Sequence, residues 1–150
     1  METEGTHSFN ICVKNGGRRT RLDKITSLVS SLAANEVCEQ VVKYFRENQP
    51  QILSRLITDA EAAKTCIYFA NDHRFIIGLA CATSIAAIYT GIVERILTKK
   101  EDLSESLSDK KGEPEINDNK GPIVVIVCGG CEISLNHLKE YRDLFGLHDI

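Results

Sequence analysis

The chain has 150 residues, 43% of them hydrophobic and 26% charged, with a formal net charge of -3. A single domain of that length buries roughly two-thirds of its unfolded surface, and the composition is that of a soluble globular protein. The acidic balance argues against a nucleic-acid binder, which carries a clustered basic surface. Phe75 to Ile88, the most apolar stretch, is too short and too interrupted by Gly78, Thr83 and Ser84 to cross a bilayer.

In chain order, the start Met-Glu-Thr-Glu-Gly lacks the basic and apolar regions of a signal peptide. Six cysteines without such a signal point to reduced thiols in the cytoplasm. His7 to Lys14 is predicted as a short helix ended by Gly16-Gly17, since glycine suits a left-handed cap. Arg18, Arg19 and Arg21 follow, and read as a solvated basic turn. Ile25 to Leu32 is a short helix or mixed segment. Over Glu36 to Glu47, apolar residues recur at helical spacing, and Pro50 closes the helix. Gln51 to Ile57 reads as a strand.

Thr58-Asp59-Ala60-Glu61 has capping-box spacing and opens a helix running to about Asn71. Arg74 to Gly78 is expected to be a short buried strand, and Cys81 to Leu97 one long helix. Thr98 to Gly121 is nearly devoid of large apolar side chains, so it is expected to be a flexible insertion over about 98–121, a mobile surface loop. Ile123 to Val127 reads as a fully apolar strand of the buried parallel kind. Ser134 caps a last helix to about Phe145. Strands alternating with helices predict an α/β fold, a parallel-sheet core with flanking helices.

Ligands of such sheets gather beyond the carboxyl ends of the strands, where Cys128-Gly129-Gly130-Cys131 lies. Cys12, Cys38, Cys66 and Cys81 stand singly in apolar or helical surroundings and read as small buried hydrophobes. Three readings of the Cys128–Cys131 pair compete. A redox pair needs a thiol of depressed pKa at a helix N-terminus, and such motifs sit early in a βαβ unit, not near the chain end. A zinc site needs four ligands, and even with His137 one is missing. The third reading makes Cys128 a polar contact to an organic cofactor, with Cys131 incidental.

The segment IVVIVCGGCEIS (Ile123 to Ser134) resembles the strand and glycine turn of L-serine and L-threonine dehydratases. LACATSIAAIYTGIVERI (Leu79 to Ile96), LITDAEAAK (Leu56 to Lys64), LDKITSLVSSLA (Leu22 to Ala33) and ETEGTHSF (Glu2 to Phe9) resemble other segments of the same family. The resemblance covers nearly the whole chain except the insertion. It implies that residues 1–150 are the C-terminal portion of a fold-type II pyridoxal-phosphate enzyme, tryptophan synthase β-like, within its large domain. The complete enzyme removes water from L-serine, and from L-threonine, giving pyruvate or 2-oxobutanoate and ammonia, and is a homodimer.

By the same resemblance, Cys128 contacts the ring nitrogen of the coenzyme, with Gly129 and Gly130 beside it. A monovalent cation, potassium, is implied at Glu2, Thr6 and Ser8 and at carbonyls near Leu32 and Ala34. The family's Schiff-base lysine has no counterpart, since none of the lysines sits in an S-x-K-x-R-G context. The chain therefore reads as a fragment unable to turn over alone. Three departures fall near the ring: Gly78-Leu79 for the family's Glu-Pro, Ala82 for glycine, and Cys131-Glu132 after the glycine pair. Glu132 beside the ring would disfavour an incoming carboxylate. Two other functions remain open, a non-catalytic module pairing with a full-length homologue and a thiol-redox protein using Cys128 and Cys131.

Overall fold

The computed structural model describes residues 1–48, 50–98 and 121–150. Its elements are β1 (Glu2–Thr3), α1 (Ser8–Lys14), a 3-10 turn (Ser30–Leu32), α2 (Glu39–Glu47), β2 (Leu56–Ile57), α3 (Asp59–His73), α4 (Leu79–Tyr89), α5 (Ile92–Leu97) and α6 (Leu135–Leu144). β1 and β2 pair in parallel, Glu2 opposite Leu56 and Thr3 opposite Ile57. Helices flank this pair, in the α/β arrangement the sequence predicts.

α3 begins where expected because its cap is local. Glu61 N–H donates to Thr58 Oγ1 at 3.2 Å, while Thr58 N–H donates to the Glu61 carboxylate at 2.7 Å. α3 and α4 meet through small side chains, and Ala62, Ala63, Cys66, Ala82 and Ala86 have no exposed surface. Short side chains let the two helix backbones approach closely, and Ile77, Ile85 and Val29 fill the seam. Burying each such branched side chain is worth about 1.5–3 kcal/mol. A smaller cluster of Cys12, Val37 and Val42, with Phe9 against it, joins α1 to α2.

Several expectations are corrected. Gln51 to Ile57 shortens to Leu56–Ile57, because a ladder extends only as far as its partner, and β1 has two residues. Ile25 to Leu32 holds only the 3-10 turn at its end. The long helix expected from Cys81 to Leu97 breaks into α4 and α5 at Gly91, whose φ of 71° lies outside helical space. Arg74 to Gly78 is no strand. Ile77 is buried, but Phe75 is 55% exposed and one backbone bond, Gly78 N–H to Gly129 O at 3.4 Å, replaces a ladder.

The largest correction concerns Ile123 to Val127. The segment is not a buried strand: Ile123, Val124, Ile126 and Val127 are exposed, Val124 to 76%, and only Val125 packs on the core. Burial of a parallel strand needs a neighbour at its edge and helices over both faces. Among the described residues this segment has no ladder partner. The loop expected over Thr98 to Gly121 lies, apart from those two end residues, outside the described residues.

Candidate functional site

The glycine turn after residue 128 lies against the segment that leads into α4. A side chain at Gly130 would begin 2.5 Å from Ile76 O and 2.8 Å from Ile77 Cα, so the close approach that demands glycine there is backbone on backbone. Gly129 differs. Its φ is 132° and nothing lies within 4 Å of its missing Cβ, so it opens onto free space. Cys128, just before it, is a free and exposed thiol. Its backbone N–H donates to Cys81 Sγ at 3.2 Å, tying the end of the 121–128 segment to the first turn of α4.

Of the four cysteines expected to be buried hydrophobes, Cys12 and Cys66 are buried, Cys81 is half-buried, and Cys38 is exposed. Cys38 precedes the first residue of α2, where its extended backbone turns the side chain outside the helix packing. The Cys66 thiol donates to Ile77 O at 3.4 Å, and burial, reinforced by Cys81, pushes its pKa up to about 12. Cys131 is exposed. Among the described residues no group of three or more His, Cys, Asp or Glu side chains could hold a metal ion.

Glu132 reaches back toward α4, its Oε1 3.4 Å from where a side chain at Gly78 would begin. The two departures noted in sequence thus meet in space, and a carboxylate from position 132 stands beside the bare backbone of 78. Next to it lies a hollow of about 210 Å³ lined in part by Ser30, Gly78, Glu132, His137 and Tyr141. Burial raises the Tyr141 pKa, with smaller contributions from Cys66, Glu140 and Glu132. His137 Nδ1 accepts the Ser134 N–H at 3.0 Å, an imidazole in the place a Glu or Gln takes in the usual capping box.

The residues expected around a cation lie on two neighbouring segments. Glu2 lies in β1, Thr6 in the turn after it and Ser8 at the start of α1, and Thr6 and Ser8 are buried. Leu32 is half-buried against the main core and Ala34 is exposed. The Glu2 carboxylate already accepts two backbone N–H groups, from Phe9 at 2.9 Å and Asn10 at 2.8 Å. Asn10, 7% exposed, donates to Ser54 Oγ at 3.1 Å while its own Oδ1 is buried with no partner. Ser54 Oγ stands 3.5 Å from Glu2 Oε2. The buried Asn10 Oδ1 is thus an acceptor left without a donor, a place that a cation and not an anion would satisfy.

Sequence reading missed Asn10, Ser54 and a second polar chain. Ser27 Oγ donates to Asp59 Oδ1 at 2.6 Å and so accepts from Thr3 Oγ1 at 2.8 Å, which in turn accepts from Thr6 Oγ1 at 2.7 Å. A hydroxyl has one proton to give, so Asp59 orients Ser27 and Thr3, and the Thr6 proton is shared between Thr3 Oγ1 and Thr3 O. These partners are 3 to 32 residues apart in sequence, and no local signal predicts such pairings.

No family model matches the chain. An L-serine dehydratase/L-threonine deaminase of Rattus norvegicus is 35% identical to it over 150 residues, 100% of this chain and 37% of that protein. A serine dehydratase-like protein of the same organism is 35% identical over 95% of this chain and 38% of its own length. Among solved structures, a fungal L-serine ammonia-lyase from Rhizomucor miehei matches with a TM-score of 0.73 at 26% identity, covering 95% of this chain and 39% of that one. The chain spans about two fifths of the length of the curated relatives it matches.

Proposed function

From a chain homologous along its whole length to the L-serine dehydratase and L-threonine deaminase family, we propose a contribution to the coenzyme and cation sites of a pyridoxal-phosphate lyase. The complete enzyme removes water from L-serine, and from L-threonine, to give pyruvate or 2-oxobutanoate and ammonia. In this reading it is a cytosolic homodimer. What supports it, beside the relatives, is one observation: an exposed thiol at residue 128, followed by a glycine at φ 132° that faces open space.

These residues fit the edge of a flat ring. Bound there, pyridoxal phosphate supplies an electron sink for the charge left on a substrate when its α-proton departs. Cys128 would face the ring nitrogen as a weak donor and weak acceptor, where a carboxylate would hold the ring fully protonated. A ring kept nearer neutral favours loss of the β-hydroxyl over amino-group transfer. Gly129 leaves the approach free of side chain, and Gly130, locked onto Ile76 and Ile77, holds the turn against the start of α4. Glu132, whose side chain stands beside Gly78, would disfavour a second carboxylate at the neighbouring ring edge. Glu2, Thr6 and Ser8, with the Leu32 and Ala34 carbonyls, would hold potassium, and the buried, partnerless Oδ1 of Asn10, whose N–H donates to Glu2, supports a cation there.

The test replaces the matched segment of the rat relative with these 150 residues. A chimera with native circular dichroism should release pyruvate from L-serine when coenzyme is supplied. Cys128→Ala in it should lower kcat/KM about tenfold, the size of one hydrogen bond at about 1.4 kcal/mol. A folded chimera that releases no pyruvate overturns the reading. The 150-residue chain by itself, without a lysine in the S-x-K-x-R-G context, should release none, and robust turnover by it would refute that argument. For the cation, potassium in place of lithium should raise the thermal midpoint of the chain, by an amount set by ligand binding to the native state alone, and Glu2→Gln should abolish the difference.

A second reading is favoured by the exposed side chains of Ile123, Val124, Ile126 and Val127. An apolar segment without a ladder partner among the described residues is a place where another chain can add a strand. A non-catalytic role would make this chain a pairing module for a full-length homologue. Co-purification with the complete rat relative at equal stoichiometry supports that role, and a monomer that ignores the relative removes it.

A further inference from the structure

Two cysteines meet where the 121–128 segment joins α4. Cys81, in the first turn of α4, has its Sγ 3.2 Å from the backbone nitrogen of Cys128, although the two are 47 residues apart in sequence. One N–Cα bond of about 1.46 Å separates that nitrogen from the Cys128 Cα, so the side chain of Cys128 starts no more than about 4.7 Å from the Cys81 sulfur. A disulfide accepts Cα atoms about 4.4–6.8 Å apart, and rotation about the Cys128 Cα–Cβ bond swings its sulfur toward that of Cys81. Cys128 is exposed and Cys81 half-buried, so one thiol meets an oxidant and the other waits behind it.

The neighbouring thiols are placed differently. Cys66 has no exposed surface and spends its proton on Ile77 O, with a pKa of about 12 that keeps it a thiol. Cys131 lies beyond Gly130, which is clamped on Ile76 and Ile77, in a turn closed by Ile133 N–H to Gly130 O at 3.0 Å. Beside the sequence neighbours Cys128 and Cys131, the fold thus offers a second pairing, Cys81 with Cys128.

We propose that Cys81 and Cys128 are an oxidation site that closes to a reversible disulfide by exchange with a small-molecule disulfide of the glutathione class. The Cys128 thiol loses its proton to solvent and its thiolate attacks one sulfur of glutathione disulfide, expelling a glutathione thiolate that is reprotonated. The Cys81 thiolate then attacks the Cys128 sulfur of the mixed disulfide and expels the second glutathione. Two protein thiols are oxidised and one glutathione disulfide is reduced to two glutathiones. The bond itself needs no coenzyme. Its consequence, withdrawal of the Cys128 thiol from the ring nitrogen, rests on the function proposed above.

The test uses the reduced 150-residue chain, treated with glutathione disulfide, quenched with N-ethylmaleimide and digested with trypsin without reduction. Cys81 falls in the peptide Phe75–Arg95, and Cys128 and Cys131 in Gly121–Lys139. The expected product joins these two peptides, and the denatured chain loses two of its six thiols. Cys131→Ser keeps the joined pair, and both Cys81→Ser and Cys128→Ser lose it. A bond internal to Gly121–Lys139, glutathione left on Cys128 without a cross-link, or a joined pair persisting at full yield in Cys128→Ser each overturns the proposal. This readout is independent of pyruvate release, so failure of the disulfide and failure of the lyase reading are told apart.

Discussion

At the scale of single residues, the two glycines of the 128–131 turn do different work. Gly129 takes a backbone angle that L side chains rarely adopt, whereas Gly130 is required by contact with the Ile76–Ile77 backbone. Backbone cannot swing aside as a flexible side chain can, so Gly130→Ala should lower stability by about 1–3 kcal/mol in urea unfolding. Gly121→Ala, with nothing within 4 Å, should stay within about 0.5 kcal/mol of the parent. Equal effects of the two changes would remove the clamp. The glycine pair is visible in the sequence as a place where something comes close. That the close neighbour of Gly130 is the chain's own backbone is not, because the contact spans more than fifty residues. The same holds for Glu132 and Gly78, two departures that look independent in sequence and stand side by side in the fold.

At the scale of elements, ends are set locally and interiors by their neighbours. The Thr58–Glu61 box uses partners three residues apart, so its signature in sequence becomes the first turn of α3 unchanged. Thr58→Ala should cost about 1 kcal/mol of stability, read as a lower urea midpoint with an unchanged slope. No loss would mean that Asp59, held by Ser27 and Leu28 N–H, anchors the start of α3 alone. The division of the long helix at Gly91 has an equally local cause. The strands are another matter. Ile123 to Val127 has the composition of a buried strand, yet pairing is a property of two segments, and among the described residues the second is missing.

At the scale of the whole molecule, α3, α4 and the segment before α4 close one core in which Cys66 has no exposed surface. Its folded pKa is raised from 9.0 to about 12, so the native state keeps a proton that the unfolded chain gives up. With more protons bound in the native state, stability falls as pH rises through the window from about 9 to 12 and is unaffected by this group below it. One proton limits the slope to about 1.4 kcal/mol per pH unit. Urea midpoints at pH 8 and 10.5 should show the decline, and Cys66→Ala should show a shallower one. Tyr89, raised to about 12 by burial and by the Asp72 carboxylate it donates to, adds to the decline in both proteins. A Cys66→Ala chain with an unchanged slope would place the titration elsewhere.

The sequence by itself determined the capping-box start of α3, the alternation that makes an α/β chain, and the likeness to serine dehydratases, because each of these is written in neighbouring residues or in ordered motifs. Only the tertiary structure decided that Cys128 is exposed, that its backbone N–H meets the Cys81 sulfur, and that Asn10, whose N–H Glu2 accepts, keeps a buried oxygen without a partner. The reason is physical. Burial, pairing and thiol proximity are relations between segments far apart in the chain, and they acquire values only when the core closes.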